Sequence, residues 1–218
     1  MTVKVCGVRD CENIGLLEKM DIDILGFIFY AGSPRYVYLQ DVKPDDIAPC
    51  TKPKAGVFVN APVEEILLEY ERCQLDYVQL HGDESPDFCG SLQKEGCRVI
   101  KAFSIASADD LRQTAQYGEC ADLFLFDTKS GGYGGSGKRF DWAVLEAYKG
   151  EVPFLLSGGI GAEHVNDLKS FYHPRLKGID VNSRFETAPG LKDALMLEQF
   201  LDELDDCGWR GKIILRRN

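Results

Sequence analysis

The sequence predicts an α/β protein that folds as a single (β/α)8 TIM barrel over residues 1–218. Short apolar runs rich in β-branched and aromatic residues alternate along the chain with segments of helical apolar spacing. Eight such runs occur, and eight is the number of parallel strands that closes a barrel. The predicted strands cover residues 3–6, 24–29, 55–59, 77–80, 99–102, 123–126, 154–156 and 178–181.

An open, doubly wound parallel sheet is the alternative architecture for this alternation. Such a sheet normally carries one glycine fingerprint after its first strand, whereas here distinctive residues follow most of the strands. No linker or low-complexity tract interrupts the pattern, so one domain is expected. The barrel is therefore the prediction.

The segments between strands carry helix signals. Apolar residues with helical spacing predict one helix over 63–70 and another over 191–204. Pro62 and Pro86 each fall at the expected first position of a helix, and Ser85 precedes Pro86 as a good N-cap.

Composition excludes several classes of protein. The chain is 44% hydrophobic and 28% charged, and no run approaches the roughly 20 apolar residues that cross a bilayer. Its net charge of -10 argues against nucleic acid as a partner, because the phosphate backbone repels an acidic surface. A small molecule is therefore the expected partner.

The chain has eight cysteines, but they fit neither a disulfide framework nor a metal site. There is no C-x-x-C motif, and the three histidines do not lie at ligand spacing around the cysteines. The N-terminus also lacks the long apolar stretch of a secretory signal. We therefore expect free thiols, no metal and a cytoplasmic location.

Two reactive side chains end predicted strands one and six. Cys6 precedes Gly7, and its unexceptional interpretation is a buried cysteine before a turn. Asp127 precedes a glycine-rich stretch over 129–138, and its unexceptional interpretation is a cap. Long glycine-rich loops are usually functional, and this one is expected to act as a closing flap. A thiol and a carboxyl at strand ends can together move protons on one small molecule.

Glycine and polar residues follow predicted strands seven and eight. Gly158 and Gly159 precede a predicted helix, where backbone amides can approach an anion, and Asn182 and Ser183 follow the last strand. Each segment alone could be a plain turn. Together they predict a phosphate site.

Two further side chains are candidate substrate contacts. Arg35 follows Pro34 after strand two, where it either clasps a carboxylate or is a solvated loop charge. His81 follows strand four, where a neutral histidine bonded to backbone is as good an interpretation as a substrate contact.

Several segments resemble, in order from the first strand to the last helix, those of the phosphoribosylanthranilate isomerase family of tryptophan biosynthesis. They are VKVCGVRD, GFIFYAGSPRYV, AGVFVN, VQLHGDE, LFDTK, GGSGKRFDW, LLSGGI and GIDVNSRFETAPGLKD. The resemblance implies a (β/α)8 barrel that rearranges N-(5-phosphoribosyl)anthranilate to 1-(2-carboxyphenylamino)-1-deoxyribulose 5-phosphate without a cofactor. A monomer and a homodimer are both compatible with it.

The resemblance also implies roles for individual residues. Cys6 is the expected general base and Asp127 the general acid, which near neutral pH favours a lowered pKa for the thiol. Arg35 is expected to hold the anthranilate carboxylate. The other expected substrate contacts are His81, Gly158, Gly159, Asp180, Asn182 and Ser183.

One departure concerns the last phosphate loop, where Arg184 stands at a position usually occupied by glycine. If that position has a positive φ, the bulky side chain is strained. Otherwise the guanidinium can reach the phosphate.

Two other functions are compatible with the barrel. A related isomerase of histidine biosynthesis, or a bifunctional enzyme, resembles this mechanism but uses aspartate where Cys6 stands and needs phosphate sites on both sides. A non-catalytic barrel that binds sugar phosphates would require neither Cys6 nor Asp127.

Overall fold

Eight parallel strands close into a barrel in sequence order, with β1 paired to both β2 and β8. The computed structural model describes residues 1–39, 42–128 and 141–209. The strands are β1 (Thr2–Cys6), β2 (Ile24–Ile28), β3 (Lys54–Phe58), β4 (Tyr77–Leu80), β5 (Val99–Ile105), β6 (Leu123–Thr128), β7 (Phe154–Leu156) and β8 (Leu176–Val181). The predicted (β/α)8 barrel is confirmed.

Helical segments connect the strands. The α-helices are α1 (Cys11–Leu17), α2 (Pro44–Ile47), α3 (Val63–Arg72), α4 (Pro86–Lys94), α5 (Val165–Ser170) and α6 (Ala194–Asp206). The connections from β5 to β6 and from β6 to β7 contain 3₁₀ segments, over Ala108–Tyr117 and Trp142–Ala147. None of the described helices is long and apolar enough to cross a membrane.

One of the three predicted helix starts is confirmed, and the other two differ from the structure. Pro86 is the first residue of α4, and its N-cap Ser85 accepts a hydrogen bond from the amide of Phe88. Pro62 is the N-cap of α3 rather than its first residue. The helix predicted from residue 191 begins only at Ala194, so that prediction is wrong at its start.

The reason for the late start of α6 is a short hairpin. Strands β9 (Glu186–Ala188) and β10 (Leu191–Lys192) pair antiparallel and hold Leu191 in extended backbone. Asp193 then caps α6, and its carboxylate accepts a hydrogen bond from the amide of Met196 at 3.0 Å. A leucine that fits the helical spacing therefore lies before the cap.

Successive side chains along each strand point to opposite faces of the sheet, and this alternation separates two apolar layers. One cluster fills the barrel interior, and the larger one lies between the strands and the helices. Val3 and Val5 of β1 belong to the outer layer, so Lys4 and Cys6 face the interior. This alternation aims the side chains at the strand ends into the mouth of the barrel.

All eight cysteines lie in the described part of the chain and are free thiols. No three His, Cys, Asp or Glu side chains among the described residues converge to hold a metal ion. The predicted flap over 129–138 lies outside the described residues.

Candidate active site

A cavity opens at the carboxyl ends of the barrel strands, where TIM-barrel enzymes place their active sites. Eight of the nine predicted site residues line it: Cys6, His81, Asp127, Gly158, Gly159, Asp180, Asn182 and Ser183. Arg35 is not among the lining residues, although Arg184 is. The strand ends therefore bring the predicted thiol, carboxylate and glycine pair to one place.

Cys6 is the last residue of β1, and its side chain is buried at the cavity floor. Its neighbour in the sheet is Gly26 of β2. A Cβ at Gly26 would lie 2.8 Å from the Cys6 sulfur, so only glycine leaves room for the thiol there.

Burial raises the pKa of the Cys6 thiol above its usual value, the opposite of the direction expected for a base. The positive charges of Lys4 and Lys192 act against burial, while the charge of Asp180 adds to it. The local charges therefore offset only part of the cost of burying a thiolate.

Lys4 and Asp180 form a buried ion pair next to the thiol. The Lys4 ammonium lies 2.6 Å from Asp180 Oδ1, and the Ser157 hydroxyl donates to Asp180 Oδ2 at 3.1 Å. Asp180 thus lines the cavity as predicted, with both carboxylate oxygens hydrogen-bonded. Sequence reasoning missed Lys4, although its position two residues before Cys6 already places both side chains on the same face of the strand.

Arg35 is part of a second ionic cluster, at the rim of the cavity. Its Nε and Nη2 groups donate to the two carboxylate oxygens of Glu186 at 2.7–3.0 Å. Lys192 donates to Glu186 and to the side-chain oxygen of Asn182, both at 2.6 Å. Arg35 is therefore not a solvated loop charge. Its partner within the protein is the carboxylate of Glu186.

Glu186 and Lys192 of this cluster both have shifted pKa values. Burial alone would raise the pKa of Glu186, but the hydrogen bond from Arg35 and the charge of Lys192 lower it below its usual value. Burial lowers the pKa of Lys192 more than Glu186 raises it. Sequence reasoning missed Glu186 and Lys192 because both belong to the unpredicted hairpin.

Asp127 lies near the end of β6 and is buried. Its Oδ1 accepts a hydrogen bond from the amide of Thr128 at 2.7 Å, and its Oδ2 lies 3.5 Å from Nε2 of His81. The other ring nitrogen of His81 contacts the side-chain nitrogen of Gln79 at 3.2 Å. His81 therefore bonds to side chains at the cavity, not to backbone.

Gly158 and Gly159 follow β7 with φ angles of 91° and 67°, a region that favours glycine. A Cβ at Gly158 would lie 2.6 Å from the amide nitrogen of Thr128 and 2.9 Å from Oδ1 of Asp127. The glycine pair thus keeps the backbone close to the acid side of the cavity.

Arg184 lies in a 3₁₀ turn over Ser183–Phe185. Among the described non-glycine residues, only Asn60 and Gln74 have a positive φ, so the strain considered for Arg184 does not arise. Its guanidinium lies 3.4 Å from the Glu163 carboxylate, and Arg184 lines the cavity next to Asn182 and Ser183.

Comparison with known proteins identifies the family of this chain. The family model of N-(5'-phosphoribosyl)anthranilate (PRA) isomerase matches residues 3–203. The chain belongs to this family. The isomerase from Parabacteroides distasonis is 48% identical over 206 residues, which are 94% of this chain and 93% of that protein.

Solved structures of this family share the fold. The phosphoribosyl anthranilate isomerase of Thermotoga maritima superposes with a TM-score of 0.79 at 32% identity, covering 94% of this chain and 99% of that one. Another, at 29% identity and a TM-score of 0.76 over 94% and 99% of the two chains, is in complex with reduced 1-(o-carboxyphenylamino)-1-deoxyribulose 5-phosphate. The activity of this chain is the isomerisation of N-(5'-phosphoribosyl)anthranilate in tryptophan biosynthesis.

Proposed function

We propose that this isomerase performs its rearrangement with Cys6 as general base and Asp127 as general acid, without a cofactor. The observation that carries the proposal is that both side chains line one cavity, at the ends of β1 and β6. A single bound ribose facing both groups can therefore exchange protons with each of them.

The first step opens the sugar ring. The carboxylic acid of Asp127 donates a proton to the furanose ring oxygen, and the bond between that oxygen and C1 breaks. The lone pair of the anthranilate nitrogen then forms an iminium with C1. The substrate thus supplies its own electron sink.

The second step moves the double bond. The Cys6 thiolate removes the proton from C2, which the neighbouring iminium has made acidic, and the electrons form an enolamine. Transfer of the hydroxyl proton to C1 gives the amino ketone. The enzyme is left with a thiol and a carboxylate, and proton exchange with solvent restores the starting state.

Substrate groups outside the reacting carbons need their own partners. We assign the phosphate to Gly158 and Gly159 with Asn182 and Ser183, all on one side of the cavity. We assign the ribose to His81, which follows β4, and to Asp180 of β8.

We assign the anthranilate carboxylate to Arg35. The pair with Glu186 engages its Nε and Nη2 groups, and a guanidinium has five N–H donors in all, so the pair does not exhaust it. A cytoplasmic location and a single catalytic domain complete the proposal, and the net charge of -10 speaks against nucleic acid as a partner.

The test follows the fluorescence of phosphoribosylated anthranilate with purified protein, alone and with the imidazole ribotide of the histidine pathway. Turnover of the anthranilate compound alone is expected. Turnover of both compounds would instead indicate a bifunctional enzyme.

A variant pair tests the base. Cys6→Ala is expected to lower kcat by about 10²- to 10⁴-fold, as loss of a general base does. Cys11→Ala, which removes an exposed thiol at the start of α1, is the matched control and should keep parental turnover. Near-parental kcat in a folded Cys6→Ala variant would remove Cys6 from the mechanism.

A further inference from the structure

We propose, on the basis of the function proposed above, that Lys4 is a positioning residue whose ammonium group stabilises the thiolate of Cys6 from inside the barrel. Lys4 itself does not line the cavity, whereas Cys6 and Asp180 do. It therefore acts through the base and not on the substrate.

The placement of Lys4 follows from the strand geometry. Lys4 and Cys6 are two residues apart on β1, so both side chains face the barrel interior. Lys4 is opposite Asp180 in the register of β1 and β8, and its ammonium nitrogen lies 2.6 Å from Oδ1 of that residue. The side chain is fully buried, and the ion pair fixes its charged end one layer below the cavity floor.

The charges that face Cys6 come from three strands. The charge of Lys4 of β1 lowers the pKa of the thiol, and the charge of Lys192 of β10 lowers it by less. Asp180 of β8 raises it, and β2 presents only Gly26. Of the two cations among these described groups, Lys4 thus has the larger effect on the thiol.

Lys4 remains charged across the working pH range. Burial lowers the pKa of Lys4, but the charges of Asp180 and Cys6 raise it by a larger amount. The resulting pKa lies above the usual lysine value. The ammonium therefore stays protonated while the thiol next to it gains and loses its proton. A fixed positive charge is what a thiolate base needs as its partner.

Stability alone does not account for this pair. Removing a lysine and an aspartate from water costs free energy that their attraction only partly returns, and apolar side chains of similar size often stabilise a core as well. Lys192, the other cation near the sulfur, is bound to Glu186 as closely as Lys4 is to Asp180, both at 2.6 Å. We therefore assign the charge of Lys4 to the thiolate of Cys6, which lies on the same face of β1.

The test is a pH titration of the thiolate ultraviolet absorbance. Each protein is measured beside the same protein carrying Cys6→Ala, so that the difference reports Cys6 alone. Lys4→Met and Lys4→Gln are compared with the parent, and Lys4→Arg serves as the variant that keeps the charge. Lys4→Gln can still hydrogen-bond to Asp180, which protects the fold if the apolar variant fails.

The midpoint of the Cys6 titration is expected to rise by about one unit or more in the neutral variants, which is about a tenfold loss of thiolate at a given pH. It should stay near the parental value in Lys4→Arg. The pH profile of kcat should move in the same direction, with little change in KM. The double variant Lys4→Met/Asp180→Asn, which leaves no unpaired carboxylate, should keep the raised midpoint.

Unchanged midpoints in folded Lys4→Met and Lys4→Gln would overturn the proposal and leave the pair with a purely structural role. That outcome differs from failure of the proposed function. If Cys6→Ala keeps its turnover, the assignment of the base is wrong whatever the Lys4 variants show. If Cys6→Ala loses turnover while the midpoints stay fixed, only the role of Lys4 is wrong.

Discussion

The thiol side and the carboxylate side of the cavity differ in the charges that surround them. Cys6 is flanked by Lys4 and Lys192, whose charges both favour its ionised form. Asp127 pairs with no lysine or arginine within the described residues, and its nearest ionisable partner is His81 at 3.5 Å. A base must lose a proton before the reaction and an acid must keep one, so cations belong beside the first and not beside the second.

The largest expected effect removes the acid side. Asp127→Asn cannot donate a proton to the ring oxygen and should lower kcat by about 10²- to 10⁴-fold while the fold is retained. The fluorescence assay measures the rate, and circular dichroism verifies the fold. Asp202→Asn, an exposed change on α6, is the control. Parental kcat in Asp127→Asn would mean that another group protonates the sugar.

The next effect concerns the ionic cluster on the thiol side. Glu186→Gln leaves Arg35 and Lys192 without their shared, nearly buried carboxylate, and the free energy of unfolding should fall by about 3–5 kcal/mol. Urea denaturation measures this change. Asp109→Asn breaks an exposed pair with Arg112 and should cost at most about 1 kcal/mol. Equal losses of unfolding free energy in the two variants would show that the buried cluster stabilises the fold no more than an exposed ion pair does.

The same cluster has a defined pH dependence. The folded pKa of Glu186 is lowered, so its stabilising contribution is complete above its unfolded pKa, about 4.3, and is lost as the pH falls through the folded value. The difference in unfolding free energy between the parent and Glu186→Gln should therefore shrink in acid. A difference that grows as the pH falls would contradict this assignment.

A smaller effect is expected from the turn on the acid side. Gly158→Ala places a methyl group against Thr128 and Asp127 at a φ of 91°, so both substrate affinity and kcat should decline. Gly96→Ala is the matched control, because Gly96 has a φ of 88° and nothing within 4 Å of its Cβ position. Both variants should lose stability through backbone strain, but only Gly158→Ala should raise KM. A normal KM in Gly158→Ala would argue against a phosphate at this turn.

The smallest effect concerns Arg184. If its guanidinium contacts the phosphate, Arg184→Ala should raise KM about tenfold through loss of one charge-assisted hydrogen bond and leave kcat nearly unchanged. Arg175→Ala, which removes a similarly exposed arginine that pairs with Glu151, should leave KM unaltered. An unchanged KM in Arg184→Ala would show that this arginine pairs with Glu163 but does not contact the phosphate.

Most of the barrel and the lining of the cavity could be predicted from the sequence because they depend on local patterns. Each strand is a short apolar run, and the residue after it must lie at the mouth of the barrel. The partners of Cys6 and Arg35 depend instead on contacts between distant parts of the chain. Lys4 meets Asp180 only when β1 pairs with β8, and Arg35 meets Glu186 only when the late hairpin folds over the rim. The direction of the thiol pKa shift was wrong for the same reason, since burial is a property of the closed barrel.

The order of synthesis gives the hairpin over β9 and β10 a further consequence. The reactive sulfur of Cys6 is synthesised long before its neighbours Asp180 and Lys192. Hydrogen bonds from Nε of Arg9 to the carbonyl of Pro189 and from the Arg9 amide to the carbonyl of Gly190 then join the hairpin to the segment that follows the first strand. A nascent chain that stops before residue 192 therefore carries the thiol without Lys192 beside it, and the charges around the sulfur are complete only once the hairpin has been made.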